Sequence, residues 1–127
     1  MRFIPTIVHG LLDYLYVVLL LFIPYIFNFS SNDADSYVLD IAASAVLVYS
    51  LFTNYELGFF KSIPMRTHLL FDLILGIVIA VSPWIFGFAD KIYLPHLFLG
   101  LFSIVASVFS KTSSKQIEKS AYSRNTY

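Results

Sequence analysis

Apolar residues fall into four stretches that are separated by short polar turns. The stretches run from Ile7 to Phe29, Tyr37 to Thr53, Thr67 to Phe88 and Ile92 to Ser110. Each is close to the roughly 20 residues that a helix needs to cross the hydrocarbon core of a bilayer. Backbone polar groups in lipid must be satisfied within their own element, and the sequence lacks the alternating pattern of barrel strands. We therefore expect four transmembrane helices.

The second half of the chain repeats the first at a fixed offset of 59 residues, since Pro5 to Phe29 aligns without gaps with Pro64 to Phe88. A shared apolar composition does not explain a His and an Asp four residues apart, each pair followed by a Pro. The identical positions pair Pro5 with Pro64, His9 with His68, Leu11 with Leu70, Asp13 with Asp72, Pro24 with Pro83, Ile26 with Ile85, Phe27 with Phe86 and Phe29 with Phe88. An internal duplication is the simplest explanation.

The duplicated unit contains two spans, so both copies enter the membrane with the same orientation. We therefore predict an all-α membrane protein whose four transmembrane helices form two parallel two-helix repeats, related by a pseudo-two-fold axis along the membrane normal. The predicted repeats cover about 3–58 and 62–110 of one transmembrane domain, 1–110. Residues 111–127 are polar, and we expect a loosely ordered cytoplasmic tail there.

The composition supports a membrane location and limits the chemistry. Hydrophobic residues make up 58% of the chain, charged residues make up 13%, and the formal net charge is zero. Such a chain is unlike a soluble domain and offers no basic surface for nucleic acid. Because the sequence has no cysteine, disulfides, thiolate metal sites and thiol catalysis are excluded.

Basic residues are concentrated on one side of the predicted membrane domain. The positive-inside rule places that side in the cytoplasm together with both termini, and we expect the inner (plasma) membrane of a bacterium. Only Lys91 falls on the opposite side, near an acidic turn at 32–35. The cytoplasmic basic residues are Arg2, Lys61, Arg66, Lys111, Lys115, Lys119 and Arg124.

The candidate chemistry lies in the two His/Asp pairs. His9 and Asp13, like His68 and Asp72, are four residues apart and therefore share one helix face. The predicted topology puts all four side chains at a similar depth on the cytoplasmic side, and Glu56 reaches the same level. The leading interpretation is local pairing of His with Asp. Metal ligation, haem ligation and a proton relay remain open as alternatives, since ionisable residues within spans normally face the interior of a bundle.

A Pro-aromatic motif marks the opposite ends of the first and third spans. Proline removes a helical hydrogen bond, a Ser hydroxyl can bond the carbonyl that is freed, and Tyr or Trp suits the interface. Gly87 and the equivalent Asn28 fit the left-handed residue after a helix end. The candidate helix-end residues are Pro24, Tyr25, Ser82, Pro83, Trp84 and Gly87.

Small and hydroxyl residues at helical spacing predict close contacts between helices. Gly76 and Ala80 continue the stripe of His68 and Asp72 along the third span. Further stripes comprise Gly100, Ser103, Ser107 and Ser110 in the fourth span, and Asp40, Ala43, Ser44 and Ser50 in the second. His96 begins the fourth span at the far side of the membrane, where we expect an interfacial cap that is remote from the other histidines.

The second copy carries His68 and Asp72 and then Ser82-Pro83-Trp84-Ile85-Phe86-Gly87-Phe88. In these residues the chain resembles the SPW-repeat family of small integral membrane proteins, over roughly 3–110. The resemblance implies a two-helix repeat with the Ser-Pro-Trp tripeptide in its first helix, and it implies no specific biochemical activity. The first copy differs from the pattern, because Ile23-Pro24-Tyr25 replaces the tripeptide and Asn28 replaces the glycine.

Taken together, the sequence predicts a small integral membrane protein with a structural or partner-binding role. We expect no enzymatic activity, because no catalytic motif is present, and no motif calls for a cofactor. The expected partner is the lipid bilayer, and a homo-oligomer or another membrane protein remains open. The alternative function is a metal, haem or proton-relay site at the paired His and Asp residues.

Overall fold

A computed structural model describes residues 1–126, the side chain of Gln116 excepted, and within this range it has five helices and no strand. The all-α prediction is therefore confirmed. The helices are α1 (Thr6–Ile26), α2 (Ala34–Phe52), α3 (Met65–Ile85), α4 (Leu94–Phe109) and α5 (Lys115–Asn125).

Three helices, α1, α2 and α3, are long and apolar enough to cross a membrane. They have 21, 19 and 21 residues, whereas α4 is a shorter apolar helix of 16 residues. Large apolar side chains cover the outward faces, among them Phe22, Ile41 and Phe98. An apolar exterior of this extent is typical of a protein whose solvent is lipid.

Proline begins both of the long helices that carry a His/Asp pair. Pro5 and Pro64 precede α1 and α3 with nearly identical backbone angles, φ −62° and ψ 151° against φ −61° and ψ 146°. The residue before each proline pairs with the end of another helix: Ile4 bridges to Ser110 after α4, and Ile63 bridges to Thr53 after α2. The start of α1 is thus held at the end of α4, and the start of α3 at the end of α2.

The far ends of α1 and α3, which carry the Pro-aromatic motif, close with the same backbone geometry. Asn28 and Gly87 both adopt positive φ, 52° and 74°. The next residues, Phe29 and Phe88, donate their backbone N–H to the carbonyl five positions back, at 2.8 Å in each case. These bonds define a Schellman-type helix end, in which a left-handed residue lets the chain turn back on the last helical carbonyls.

The proline within α3 leaves one backbone carbonyl without its helical hydrogen bond, and the serine of the same motif supplies a replacement. Pro83 has no N–H to donate to Ile79, four positions back, and the Ser82 hydroxyl donates to that carbonyl at 2.7 Å. Pro24 and Pro83 are buried, whereas Tyr25 is 79% and Trp84 is 56% exposed. The exposed aromatic rings therefore stand at the end of the molecule opposite the His/Asp pairs.

Close backbone contact joins α3 to α4 through the predicted small residues. A Cβ atom on Gly76 would lie 2.8 Å from the carbonyl oxygen of Gly100, and one on Gly100 would lie 2.5 Å from the nitrogen of Ala80. Ser103 and Ser107 are buried on the same side of α4. Gly76 and Gly100 therefore lie where the backbones of α3 and α4 approach closely.

The predicted stripe of α2 is only half correct. Ala43 and Ser50 are buried, but Asp40 and Ser44 are exposed. The buried face of α2 follows residues 39, 43, 46 and 50, and a step of one residue turns a helix by about 100°. Asp40 and Ser44 each follow a buried position by one residue, and this step carries them to the outer face.

The polar tail also differs from the expectation of loose order, because it contains the 11-residue helix α5. Ser114 caps the helix by accepting the N–H of Ile117 at 3.4 Å, and Ser113 donates to Glu118 at 2.8 Å. Serine at the N-cap with an acidic residue in the first turn favours a helix start. Tyr127, the last residue of the predicted tail, lies outside the described residues.

We expect Gly76→Leu to destabilise the protein, because its side chain would have to displace the backbone of α4. Overpacking typically costs about 1–3 kcal/mol, and a backbone neighbour has less room to move than a side chain. Thermal unfolding in detergent should therefore begin several degrees lower than in the wild type. Ser44→Leu, a similar enlargement at an exposed position of α2, is the control. Equal melting temperatures for the two variants would contradict the close contact of α3 with α4.

Candidate metal centre

The two His/Asp pairs meet inside the protein. His9 and Asp13 lie in the first two turns of α1, and His68 and Asp72 lie in the first two turns of α3. Exposed fractions are 1% for His9, 5% for Asp13, 0% for His68 and 3% for Asp72. We call these four residues the His/Asp cluster. Each helix carries its pair on one face. The bridges of Ile4 and Ile63 hold the starts of α1 and α3 in place, and the two faces meet there.

The two Nε2 atoms of the cluster lie close to each other and to both carboxylates. The Nε2 atom of His9 lies 3.2 Å from Nε2 of His68, 3.3 Å from Asp13 and 2.9 Å from Asp72. The Nε2 atom of His68 lies 3.0 Å from Asp13 and 3.2 Å from Asp72. Each histidine therefore contacts the carboxylate of the other helix more closely than its own. This arrangement differs from two separate local ion pairs.

A hydroxyl at a helix end fixes the orientation of each imidazole. Nδ1 of His9 lies 2.7 Å from Ser110 Oγ, and Nδ1 of His68 lies 2.7 Å from Thr53 Oγ1. Both hydroxyls donate their only hydrogen to a backbone carbonyl four residues earlier, at 2.6 Å. Each hydroxyl oxygen must therefore accept from an Nδ1–H group. Both Nε2 atoms face the carboxylates, with either a lone pair or a second proton.

The two carboxylates have different further partners. Asp72 accepts a hydrogen bond from the Tyr49 hydroxyl at 2.5 Å, through the oxygen that does not face the imidazoles. Asp13 has a longer contact, 3.5 Å, with the Ser50 hydroxyl. Tyr49 and Ser50 both belong to the last turn of α2. The end of α2 therefore orients both carboxylates, and it holds Asp72 more firmly.

The loop between α2 and α3 covers the cluster through Tyr55. This residue is 1% exposed, its ring centroid lies 5.7 Å from that of His68, and burial raises the pKa of its phenol. The ring packs directly against the backbone of Gly10, where any Cβ atom would overlap it. The cluster is thus enclosed, and a glycine in α1 makes the closure possible.

Charge balance decides what the cluster can hold. Two carboxylates carry a charge of −2, and burying that charge without compensation is prohibitively costly. Two additional protons on the imidazoles would neutralise it, and so would one divalent metal ion. In the protonated form two positively charged nitrogens would stand 3.2 Å apart, and at an effective dielectric constant of about 20 they repel by roughly 5 kcal/mol. Each imidazolium would also attract both carboxylates, at 2.9–3.3 Å, so the protonated form and a metal-bound form both compensate the buried charge.

The distances from the two Nε2 atoms are close to those of a tetrahedral metal site. Asp13 meets the two histidines through different carboxylate oxygens, and one ligand atom from each of the four residues gives a set within 4.8 Å. Zinc bonds to nitrogen and carboxylate oxygen of about 2.0–2.1 Å place neighbouring ligand atoms about 3.3 Å apart in a tetrahedron. The five distances within the cluster that involve Nε2 lie between 2.9 and 3.3 Å. Haem does not fit, because its axial ligands stand on opposite faces of a porphyrin, whereas these two nitrogens are 3.2 Å apart.

Other predicted site residues lie elsewhere. Glu56 accepts a hydrogen bond from the Thr6 hydroxyl at 2.6 Å and does not belong to the cluster. His96 is fully buried and bonds the carbonyl of Asp35 at 2.9 Å, so it is a link between α4 and α2 and not an interfacial cap.

Sequence reasoning missed the roles of four residues around the cluster, of which only Ser110 had been named, as a packing residue. Thr53 and Ser110 are the first residues after α2 and α4, and a hydroxyl at both of these helix ends was an available signal. Tyr49 and Tyr55 had no comparable signal, because the chain has nine tyrosines. Only the packing of the loop and of α2 distinguishes these two from the rest.

Comparison with known proteins adds one finding. The family model described as the SPW repeat domain matches residues 7–110. No curated protein and no solved structure matches the chain. The matched region includes the whole His/Asp cluster and the Ser-Pro-Trp tripeptide, and the apolar helices are those of a membrane protein. The chain therefore belongs to the SPW repeat family.

Proposed function

We propose that the protein binds one divalent metal ion, with zinc as the best fit, and that this ion holds α1 and α3 together within the membrane domain. The proposal rests on the distances of 2.9–3.3 Å around the two Nε2 atoms. A site with four protein ligands and no open position is typical of structural zinc. The role is therefore structural and not enzymatic.

The hydrogen bonds around the cluster support metal binding. Histidines that bind a metal usually donate their other ring N–H to a fixed acceptor, which sets the tautomer and the ring orientation. Ser110 and Thr53 are such acceptors, at 2.7 Å from the two Nδ1 atoms. The Tyr49 hydroxyl donates to the carboxylate of Asp72 and so orients that ligand. A divalent ion with two carboxylates and two neutral imidazoles also makes a centre with no net charge, which suits burial in a membrane protein.

The four apolar helices are proposed to span the membrane as two parallel repeats with a pseudo-two-fold axis. Equivalent contacts at the offset of 59 residues support this arrangement. Ile4 and Ile63 make equivalent bridges, His9 and His68 bond equivalent hydroxyls, and the two helix-end motifs share the same hydrogen bonds. The metal would lie on the axis, where each repeat contributes one His and one Asp.

Both termini are proposed to face the cytoplasm, in a plasma membrane of bacterial type. Seven of the eight basic residues support this orientation through their positions at the end where α1 and α3 begin. The exception, Lys91, pairs with Asp35 at 2.7 Å and Asp33 at 3.1 Å, and these carboxylates raise the pKa of Lys91. The proposed partner is the bilayer, and the exposed apolar faces also suit a second membrane protein or a second copy.

Metal analysis tests the proposed centre. We expect the full chain, purified in detergent, to carry about one equivalent of zinc or a similar divalent ion. Plasma mass spectrometry should show at least a tenfold loss of metal in His9→Gln and His68→Gln. His96→Gln is the control, because it removes the third histidine and keeps an N–H group for the carbonyl of Asp35.

A second variant separates loss of metal from loss of fold. Thr53→Val keeps all four ligands but removes the acceptor of the His68 Nδ1–H group, and such a change typically weakens metal affinity by about 10- to 100-fold. The measurement is competition against a chelator. A wild-type protein free of metal, or unchanged metal content in His68→Gln, would contradict the proposal and favour protonated ion pairs.

Site-directed labelling tests the orientation. Because the chain lacks cysteine, single cysteines at Ser31 and Ser123, both exposed, give unambiguous signals. An impermeant maleimide should label Ser31→Cys in intact cells and Ser123→Cys only after permeabilisation. Labelling of both positions from one side would refute the four-span topology.

A further inference from the structure

A cavity of about 510 Å³ lies between α3 and α4 at the end of the molecule where α3 begins. Two arginines, Arg2 and Arg66, stand at this cavity, and none of the described residues that line it is acidic. The remaining lining residues are Leu69, Leu70, Leu73, Ser107, Val108 and Thr112. The cavity therefore combines a positively charged part with an apolar wall.

The charged and apolar parts follow one another along α3. Arg66, Leu69, Leu70 and Leu73 are at spacings of three and four residues, so they form one stripe on the helix. Arg66 is in the first turn, and the leucines extend about 10 Å deeper, at a rise of about 1.5 Å per residue. Leu70 and Val108 are 52% and 46% exposed. This order of charge and then apolar surface is that of a phospholipid, with its phosphate at the interface and its acyl chain below.

Arg2 is held in place beside the cavity. Its Nη1 atom donates to the carbonyls of Ser107 and Ser110, at 3.2 Å and 2.7 Å. Both bonds use one nitrogen, which leaves Nη2 and Nε of the planar guanidinium for another acceptor. Arginine suits phosphate because its fork of N–H groups binds two oxygens at once.

The equivalent cavity of the other half has the opposite charge. It has a volume of about 420 Å³ and is lined by Leu11 and Tyr14, which align with Leu70 and Leu73. Glu56 lines this second cavity, and Ile7 stands at the position that aligns with Arg66. The two cavities therefore share the aligned face of α1 and α3 but differ in their other wall and in charge, and only the cavity beside Arg2 and Arg66 suits an anion.

We propose that the cavity beside Arg2 and Arg66 binds one anionic phospholipid, with the phosphate on the two guanidinium groups and an acyl chain along the leucines of α3. Basic pockets between transmembrane helices are known to hold anionic headgroups. The asymmetry of the two halves limits the number of such lipids to one per chain. The proposal is independent of the metal centre, since none of the lining residues belongs to the His/Asp cluster.

Native mass spectrometry of the full chain in detergent tests this site, with phosphatidylglycerol as the anionic probe and phosphatidylcholine as the zwitterionic one. We expect one phosphatidylglycerol to bind more tightly than any phosphatidylcholine. Arg66→Gln should weaken that binding about tenfold, as expected for the loss of one charge-assisted hydrogen bond. Arg124→Gln, which removes the same charge from the exposed face of α5, is the matched control and should have no effect.

Two further measurements distinguish specific lipid binding from the alternatives. Thr112→Glu places a carboxylate in the cavity and should abolish the preference for phosphatidylglycerol, while the melting temperature reports whether the variant is folded. Inorganic phosphate at millimolar concentration should not displace the lipid, because phosphate cannot occupy the apolar wall. Equal binding of the two lipids, equal losses in Arg66→Gln and Arg124→Gln, or displacement by phosphate would each overturn the proposal.

Discussion

The need to neutralise two buried carboxylates governs this structure. Asp13 and Asp72 lie among apolar helices, and the two imidazoles alone give no charge compensation unless they bind protons or share a metal ion. Several features meet this need together. The tethered starts of α1 and α3 bring the pairs into contact, hydroxyls at the ends of α2 and α4 orient the imidazoles, and the buried ring of Tyr55 packs against His68.

The two aligned segments keep this centre and differ elsewhere. Gly76 allows α4 to approach α3 closely, whereas the aligned residue of α1 is Val17. Tyr49 bonds Asp72, and Asp13 has only the longer contact with Ser50. The two cavities have opposite charges. What stays alike in both halves is therefore the His/Asp pair and the hydroxyl that orients each imidazole, and what differs is the contact of each carboxylate, the helix packing and the cavity of each half.

Local rules predicted much of this architecture. The repeated His and Asp, the left-handed residues at the helix ends and the small residues of α3 and α4 all follow from spacing within one helix. Contacts that depend on packing were not accessible in this way. His68 of α3 meets Thr53 at the end of α2, and His9 of α1 meets Ser110 at the end of α4. Asp40 lies one residue away from the buried face of α2, and Glu56 accepts a hydrogen bond from Thr6. Sequence spacing shows which residues of a helix share a face, but packing decides which face is buried and which partner each side chain meets.

X-ray absorption spectroscopy of the purified full chain at the zinc edge tests the central claim most directly, because it reports the ligands and their distances around the ion itself. The account predicts four nitrogen and oxygen ligands at about 2.0–2.1 Å with the outer scattering of two imidazoles. A coordination shell of water or buffer without imidazole scattering, or no bound metal at all, would contradict it. In that case the His/Asp cluster would be a network of protonated ion pairs.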